Sequence, residues 1–146
     1  MKCYGLIWVL LVLATPVAAE PIPSGAIQVI DGDTIRANGP TVRLVGFDTP
    51  EAGMNAGCEV ERTLAAKATA KLRRLIAGGA LDLTLVRCAC PAATQATQAC
   101  NRGRACGVLK AAGKDVAGLM ITARVAKPYL PAVIVAPGGS RGVRVT

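Results

Sequence analysis

The chain has 146 residues, with 17 lysines and arginines against 9 aspartates and glutamates, a net charge of +8, six cysteines, four aromatic residues and no histidine. That length makes one domain, and the missing imidazole excludes histidine-based triads, histidine-ligated zinc and imidazole acid–base chemistry. Carboxylates, arginines or a cysteine must carry any catalysis.

Met1 and Lys2 open the chain, Leu6 to Leu13 is an unbroken apolar run, and Val17, Ala18 and Ala19 suit cleavage before Glu20. The pattern predicts a secretory signal peptide over residues 1–19. A retained anchor is the alternative, but the run is short for roughly 30 Å of hydrocarbon. After cleavage, residues 20–146 carry 16 basic and 9 acidic side chains, a net charge of +7. That balance suits a polyanionic partner and equally suits solubility alone. The expected location is secreted or periplasmic, with no stable membrane association. Export makes disulfides the expected state of Cys58, Cys88, Cys90, Cys100 and Cys106, and the odd count leaves one thiol over. A zinc site built from cysteines alone is the alternative, and the spacing does not fix which cysteines pair.

After the lead containing Pro21 and Pro23, Ala26 to Ile30 reads as a strand entering Asp31-Gly32-Asp33-Thr34. Ile35 to Ala37, the turn Asn38-Gly39-Pro40 and Thr41 to Phe47 read as a hairpin, since Asn-Gly supplies the positive φ angles a tight turn needs. Pro50, in Asp48-Thr49-Pro50-Glu51, stops the ladder. From Cys58 to Ala77 the period becomes helical, with Leu64, Ala68, Leu72, Leu75 and Ile76 on one face, ended by Gly78-Gly79. Leu81, Leu83 and Leu85 alternate with polar residues as in a half-buried strand. Pro91 to Ala99 reads as a surface loop stapled by cysteines, and Ala105 to Ala111 as another strand with Gly113 in the turn after it. Asp115 caps a short helix through Val116, Leu119, Met120 and Ala123, ended by Pro128. The tail from Pro131 has no clear period. The domain therefore covers residues 20–130, with 131–146 unassigned. Short strands with an intervening helix fit a mainly β fold with helices, a small five-stranded barrel of the OB type.

Asp31 and Asp33 precede the hairpin and Asp48 and Glu51 follow it, so its two ends bring carboxylates together. Converging carboxylates repel unless a cation or an arginine compensates them, and oxygen donors select hard ions such as calcium or magnesium. Each acid alone also reads as a turn or a strand-end cap.

Val29-Ile30-Asp31-Gly32-Asp33-Thr34, then Arg43-Leu44-Val45-Gly46-Phe47-Asp48-Thr49-Pro50-Glu51, then Gly103-Arg104, then Gly113-Lys114-Asp115-Val116 resemble the successive signature segments of the staphylococcal nuclease (thermonuclease) family. Order and spacing agree over about Ala26 to Tyr129. The resemblance implies a five-stranded OB barrel and calcium-dependent hydrolysis of phosphodiester bonds in DNA and RNA, and the chain is expected to be a monomer. By position, Asp33 and Asp48 become carboxylate ligands of Ca2+ and Thr49 gives it a backbone carbonyl. Glu51 becomes the general base acting on water, Arg43 and Arg104 hold the scissile phosphate, and Asp31 stands behind the ligands. This chemistry is coherent without histidine. A cation and two guanidiniums offset the charge that builds on phosphorus, and a carboxylate accepts water's proton.

The chain departs from the family in four places. Asn101-Arg102 stands where the family has Lys-Tyr, which removes an aromatic platform of the kind worth roughly 1–3 kcal/mol per stacked base. Tyr129 falls one residue from the family's substrate-side tyrosine and is left without a role. The cysteine-rich loop before Arg104 is longer than usual. The family's C-terminal helix and tryptophan have no counterpart, and disulfides are expected to replace their stabilisation. Two rival readings are a non-catalytic OB module that binds nucleic acid or protein, and a cysteine-based redox or structural protein. Binding alone has no use for Asp33, Asp48 and Glu51, and the chain has no Cys-x-x-Cys motif.

Overall fold

The computed structural model describes residues 20–129, so the expected signal peptide (1–19) and tail (131–146) lie outside the described residues. The chain forms nine short strands, with apolar and polar residues alternating in β2 and β6: β1 (Glu20–Ile22), β2 (Ile27–Val29), β3 (Thr34–Ala37), β4 (Thr41–Leu44), β5 (Gly46–Asp48), β6 (Leu81–Val86), β7 (Ala105–Ala111), β8 (Lys114–Asp115) and β9 (Lys127–Tyr129). Two helices join them, α1 (Glu59–Ala77) and α2 (Val116–Thr122). The main sheet runs in the order β1-β6-β7-β4-β3-β2 with β8 on β7, and β5 pairs with β9 in a separate ribbon. The fold is mixed α/β, a strand-rich sheet with two helices. Of the five expected strands, Thr41–Phe47 is split into β4 and β5, β1, β8 and β9 are additional, and the end strands β1 and β2 do not pair with each other among the described residues.

The expected hairpin forms, with Asn38 and Gly39 at φ 49° and 114° and the N–H of Ala37 donating to Pro40 O at 3.0 Å. Its second strand does not run unbroken from Thr41 to Phe47. Gly46 takes φ 93°, which an L side chain resists, and the chain turns there from the main sheet into the ribbon with β9. Helix α1 begins at Glu59, one residue later than expected, and Cys58 caps it without a side-chain bond. Its buried face is Ala65, Ala68, Leu72 and Ile76, while the expected core residue Leu64 is exposed. Ala68 at the contact lets the helix approach the Gly32 turn closely; a Cβ at Gly32 would stand 2.9 Å from that of Ala68. Asp115 caps α2 as expected, accepting the Ala117 N–H at 3.0 Å. Pro128 does not end that helix, which stops at Thr122 with Ala123 as its C-cap, and Arg124 then takes φ 57°. Pro128 instead lies in β9 opposite Phe47. The proline-containing lead forms β1 on β6, an edge position where a missing N–H is tolerated.

Ile35, Val42, Leu44, Phe47, Leu72, Leu81, Leu109, Val116 and Met120 are buried together between sheet and helices. Two registers then position the polar face: Thr34 lies opposite Arg43 across β3 and β4, and Arg43 lies beside Cys106 across the parallel β4–β7 pair. Cys88 bridges Cys106 and Cys90 bridges Cys100, so these four cysteines form disulfides and not a zinc site. Among the described residues Cys58 is the free thiol, and it is exposed. Among the described residues no helix is long and apolar enough to cross a membrane.

Candidate active site

The Asp31-Gly32-Asp33-Thr34 turn is held by its own side chains. The N–H of Asp33 donates to Asp31 Oδ1 at 3.1 Å, and Thr34 Oγ1 donates to Asp33 Oδ1 at 3.0 Å. The Leu44 N–H donates to Asp33 O at 2.8 Å, tying the turn to β4. Glycine is required at 32 by close approach, because a Cβ there would meet Thr49 Oγ1 at 2.8 Å. The β5 end of the hairpin thus packs directly against its β3 end.

Arg43 faces away from the core side of β4 and joins the two acids. Its Nη1 lies 3.2 Å from both carboxylate oxygens of Asp33, and its Nη2 donates to Asp48 Oδ1 at 2.8 Å. Lys127 Nζ reaches the other Asp48 oxygen at 3.4 Å, and the Tyr129 ring centre lies 6.0 Å from the Arg43 guanidinium carbon. Arg104 enters from the loop before β7. Its Nη1 donates to Thr34 Oγ1 at 3.1 Å, its Nε to Asn101 O at 3.0 Å and its Nη2 to Asn101 Oδ1 at 2.9 Å. The Thr34 hydroxyl therefore links Arg104 to Asp33. Burial raises the Asp33 carboxyl above its ordinary value, with Arg43 opposing and Asp31 and Asp48 adding to the rise. Burial first, then the neighbouring Arg43 charge, pull the Arg104 guanidinium below its ordinary value.

Glu51 is exposed at the rim, its N–H donating to Glu61 Oε1 at 3.3 Å. Arg43, Glu51, Arg104, Asp33, Asp48 and Thr49 all line one cleft of about 300 Å³, together with Asp31, Arg102 and Tyr129. A larger hollow of about 710 Å³ adjoins it across Asp48–Glu51 and is walled by Val60, Leu64 and Val125. The charged groups able to act on a substrate converge in the smaller one. Thr34, Asn101, Lys127 and Tyr129 belong to this constellation and were not among the predicted site residues. Thr34 stood inside the recognised segment, and Tyr129 stood near a family position; nothing in the sequence marked Asn101 or Lys127.

Among the described residues, no three side chains of Asp, Glu, Cys or His group as an ion cage. Asp33, Asp48 and the Thr49 carbonyl are nevertheless an all-oxygen donor set, the kind a hard divalent ion takes. A buried Asp33 whose charge is disfavoured by burial and by two neighbouring acids is a site where added positive charge is favourable. The residues fit a calcium ion in donor chemistry, with Arg43 meanwhile bridging the two carboxylates. A scan against protein-family models and a search of the curated proteins each found no match for this chain.

Proposed function

We propose that the chain is a calcium-dependent nuclease of the staphylococcal nuclease family, its sheet closed as an OB-type barrel, that hydrolyses phosphodiester bonds in DNA and RNA. The observation that carries this reading is the meeting of Arg43, Glu51 and Arg104 with Asp33, Asp48 and Thr49 in one cleft, although they come from three separated segments. Asp33, Asp48 and the Thr49 carbonyl would hold the ion, which when bound supplies positive charge against the phosphate and polarises a water.

Arg43 and Arg104 present guanidinium forks that remain charged and can each contact two oxygens of a phosphodiester. They hold the phosphate and offset the charge that grows on its oxygens as phosphorus becomes five-coordinate. Glu51, exposed at the rim, accepts a proton from water while the water oxygen bonds to phosphorus. The bond from phosphorus to the leaving ester oxygen then breaks, and that oxygen takes a proton from solvent. A surface of net charge +7 over residues 20–146 favours encounter with a polyanion. The two disulfides support folding outside a reducing compartment, hence secretion or residence in the periplasm, and we take the working form to be a monomer.

Incubation of residues 20–146 with denatured DNA and calcium tests the reading. Digestion that stops with chelator, and falls about 10²- to 10⁴-fold in Glu51→Gln with the fold intact, is the expected result. Binding without cutting makes the chain a non-catalytic OB module, and equal digestion with chelator removes the ion from the scheme.

A further inference from the structure

The turn that delivers Arg104 has an unusual backbone. Asn101, Arg102 and Gly103 take φ of 53°, 56° and 73° in succession. Asparagine and glycine tolerate the left-handed region, whereas arginine resists it, so such a run persists only where its surroundings impose it. Two bridges fence it in. Cys90–Cys100 closes on the residue before the turn, and Cys88–Cys106 closes on β7 two residues beyond Arg104, with Cα separations of 5.8 and 5.3 Å.

Asn101 is the contact between this fence and the cleft. Its Nδ2 lies 3.4 Å from Cys106 Sγ, 3.9 Å from Cys88 Sγ and 3.4 Å from Arg104 O. On its other side, its backbone oxygen and Oδ1 accept from Arg104 Nε and Nη2 at 3.0 and 2.9 Å. Two of the three guanidinium nitrogens are thus held by one residue, and that residue rests on a disulfide.

We propose that Asn101 is the positioning residue for Arg104 and that Cys90–Cys100 and Cys88–Cys106 form a redox latch on it. With the bridges closed the guanidinium is fixed at the cleft; with them reduced the left-handed turn relaxes and the guanidinium is released. In the reduction, an external dithiol gives two electrons and two protons to each bridge, the S–S bond becomes two thiols, and the dithiol closes to its own disulfide. The inference rests on the nuclease reading. A chain still in a reducing compartment lacks one phosphate clamp and acquires it when an external disulfide takes two electrons and two protons from each cysteine pair, opening to its dithiol as the loop closes.

The variant Asn101→Gly keeps the left-handed backbone and removes only the side chain. Its kcat on denatured DNA with calcium is expected to fall about tenfold while KM moves less than about twofold, and the loss is expected to vanish in an Arg104→Ala background. Equal losses in both backgrounds would overturn the positioning role. Exchange of the Arg104 Nε proton, followed by side-chain NMR, reads the latch without reference to activity. Dithiol treatment is expected to speed that exchange about tenfold or more while backbone amides of β3 and β4 stay protected. Unchanged Nε exchange after complete reduction overturns the latch. Should reduction also expose the β3 and β4 amides, a chain with Cys90→Ser and Cys100→Ser alone is expected to show the faster Nε exchange in an otherwise protected fold, and unchanged exchange there overturns the latch. If the oxidised wild type leaves DNA uncut, the nuclease reading fails, and the Nε measurement still decides whether the disulfides hold Arg104.

Discussion

Replacing Arg43 with methionine keeps the apolar stem of the side chain and removes the charge that lies between Asp33 and Asp48. At the 3.2 Å separation from Asp33, and with an effective dielectric of about 20, Coulomb's law sets the interaction on a scale of about 5 kcal/mol. Breaking a buried pair by deleting one partner costs about 3–5 kcal/mol, because the remaining charge is left uncompensated. Asp33 is almost wholly buried, but the Arg43 side chain is 21% exposed, so solvent screens part of the pair. The lower end of that range, about 3 kcal/mol, is the expected loss in chelator, or roughly 10–15 °C in Tm for a domain of this size. Calcium is then expected to raise the Tm of Arg43→Met by more than that of the wild type, because the ion meets two carboxylates that no guanidinium bridges. Calorimetric melts with and without calcium make the comparison. A variant that melts within about 2 °C of wild type in chelator would show that the pair does not hold the turn in place. A calcium shift no larger than that of the wild type would show that ion and arginine do not share the same acids.

Gly32→Ala is expected to cost about 1–3 kcal/mol in urea denaturation, since its methyl would meet Thr49 and Ala68 at under 3 Å; an unchanged midpoint refutes the close approach. Because the folded Asp33 carboxyl lies above its ordinary value, its charge opposes folding above that value, and the opposition vanishes once pH falls below the unfolded one. In chelator, Asp33→Asn is therefore expected to be more stable than wild type at pH 7, with a difference that shrinks as pH falls toward about 4; a constant or growing difference in urea midpoints refutes this. Alkylation of residues 20–146 without reductant is expected to add one group, at the exposed Cys58, and five after reduction in denaturant, as counted by mass spectrometry.

The local elements were legible where one physical signal acted alone. Asn38-Gly39 gave the hairpin, the period of Ala68, Leu72 and Ile76 gave the long helix, and Asp115 gave the cap of the short one. The sequence was less informative where two contacts competed. Leu64 has the apolarity of a core residue, yet the helix face turned inward is the one that carries Ala68, the small neighbour on which the Gly32 turn packs, and it leaves Leu64 exposed. Pro128 has the chemistry of a helix terminator, but α2 has already ended and the residue serves in a ribbon with β5. Gly46 carried no sign of whether its freedom was used, and its positive φ divides the strand that alternation made continuous.

The site was legible to the extent that it is local. Asp33 and Thr34 lie in one turn and the hairpin pairs Thr34 with Arg43 as the alternation implies, whereas Asp48 comes back to Arg43 across the turn at Gly46. Arg104 differs, because 70 residues separate it from Thr34 and its direction depends on the turn 101–103. Arg102 in that turn departs from ordinary backbone preference, so no reading of propensity could have placed the guanidinium two residues later. What overrides the preference is the pair of covalent bridges, and their connectivity was open among five cysteines. Choosing Cys88–Cys106 and Cys90–Cys100 fixes the turn, brings Asn101 onto the sulfurs and sets the orientation of Arg104. In this chain the cysteine-rich insertion is thus the part of the site whose geometry follows from its cross-links and not from the order of its residues.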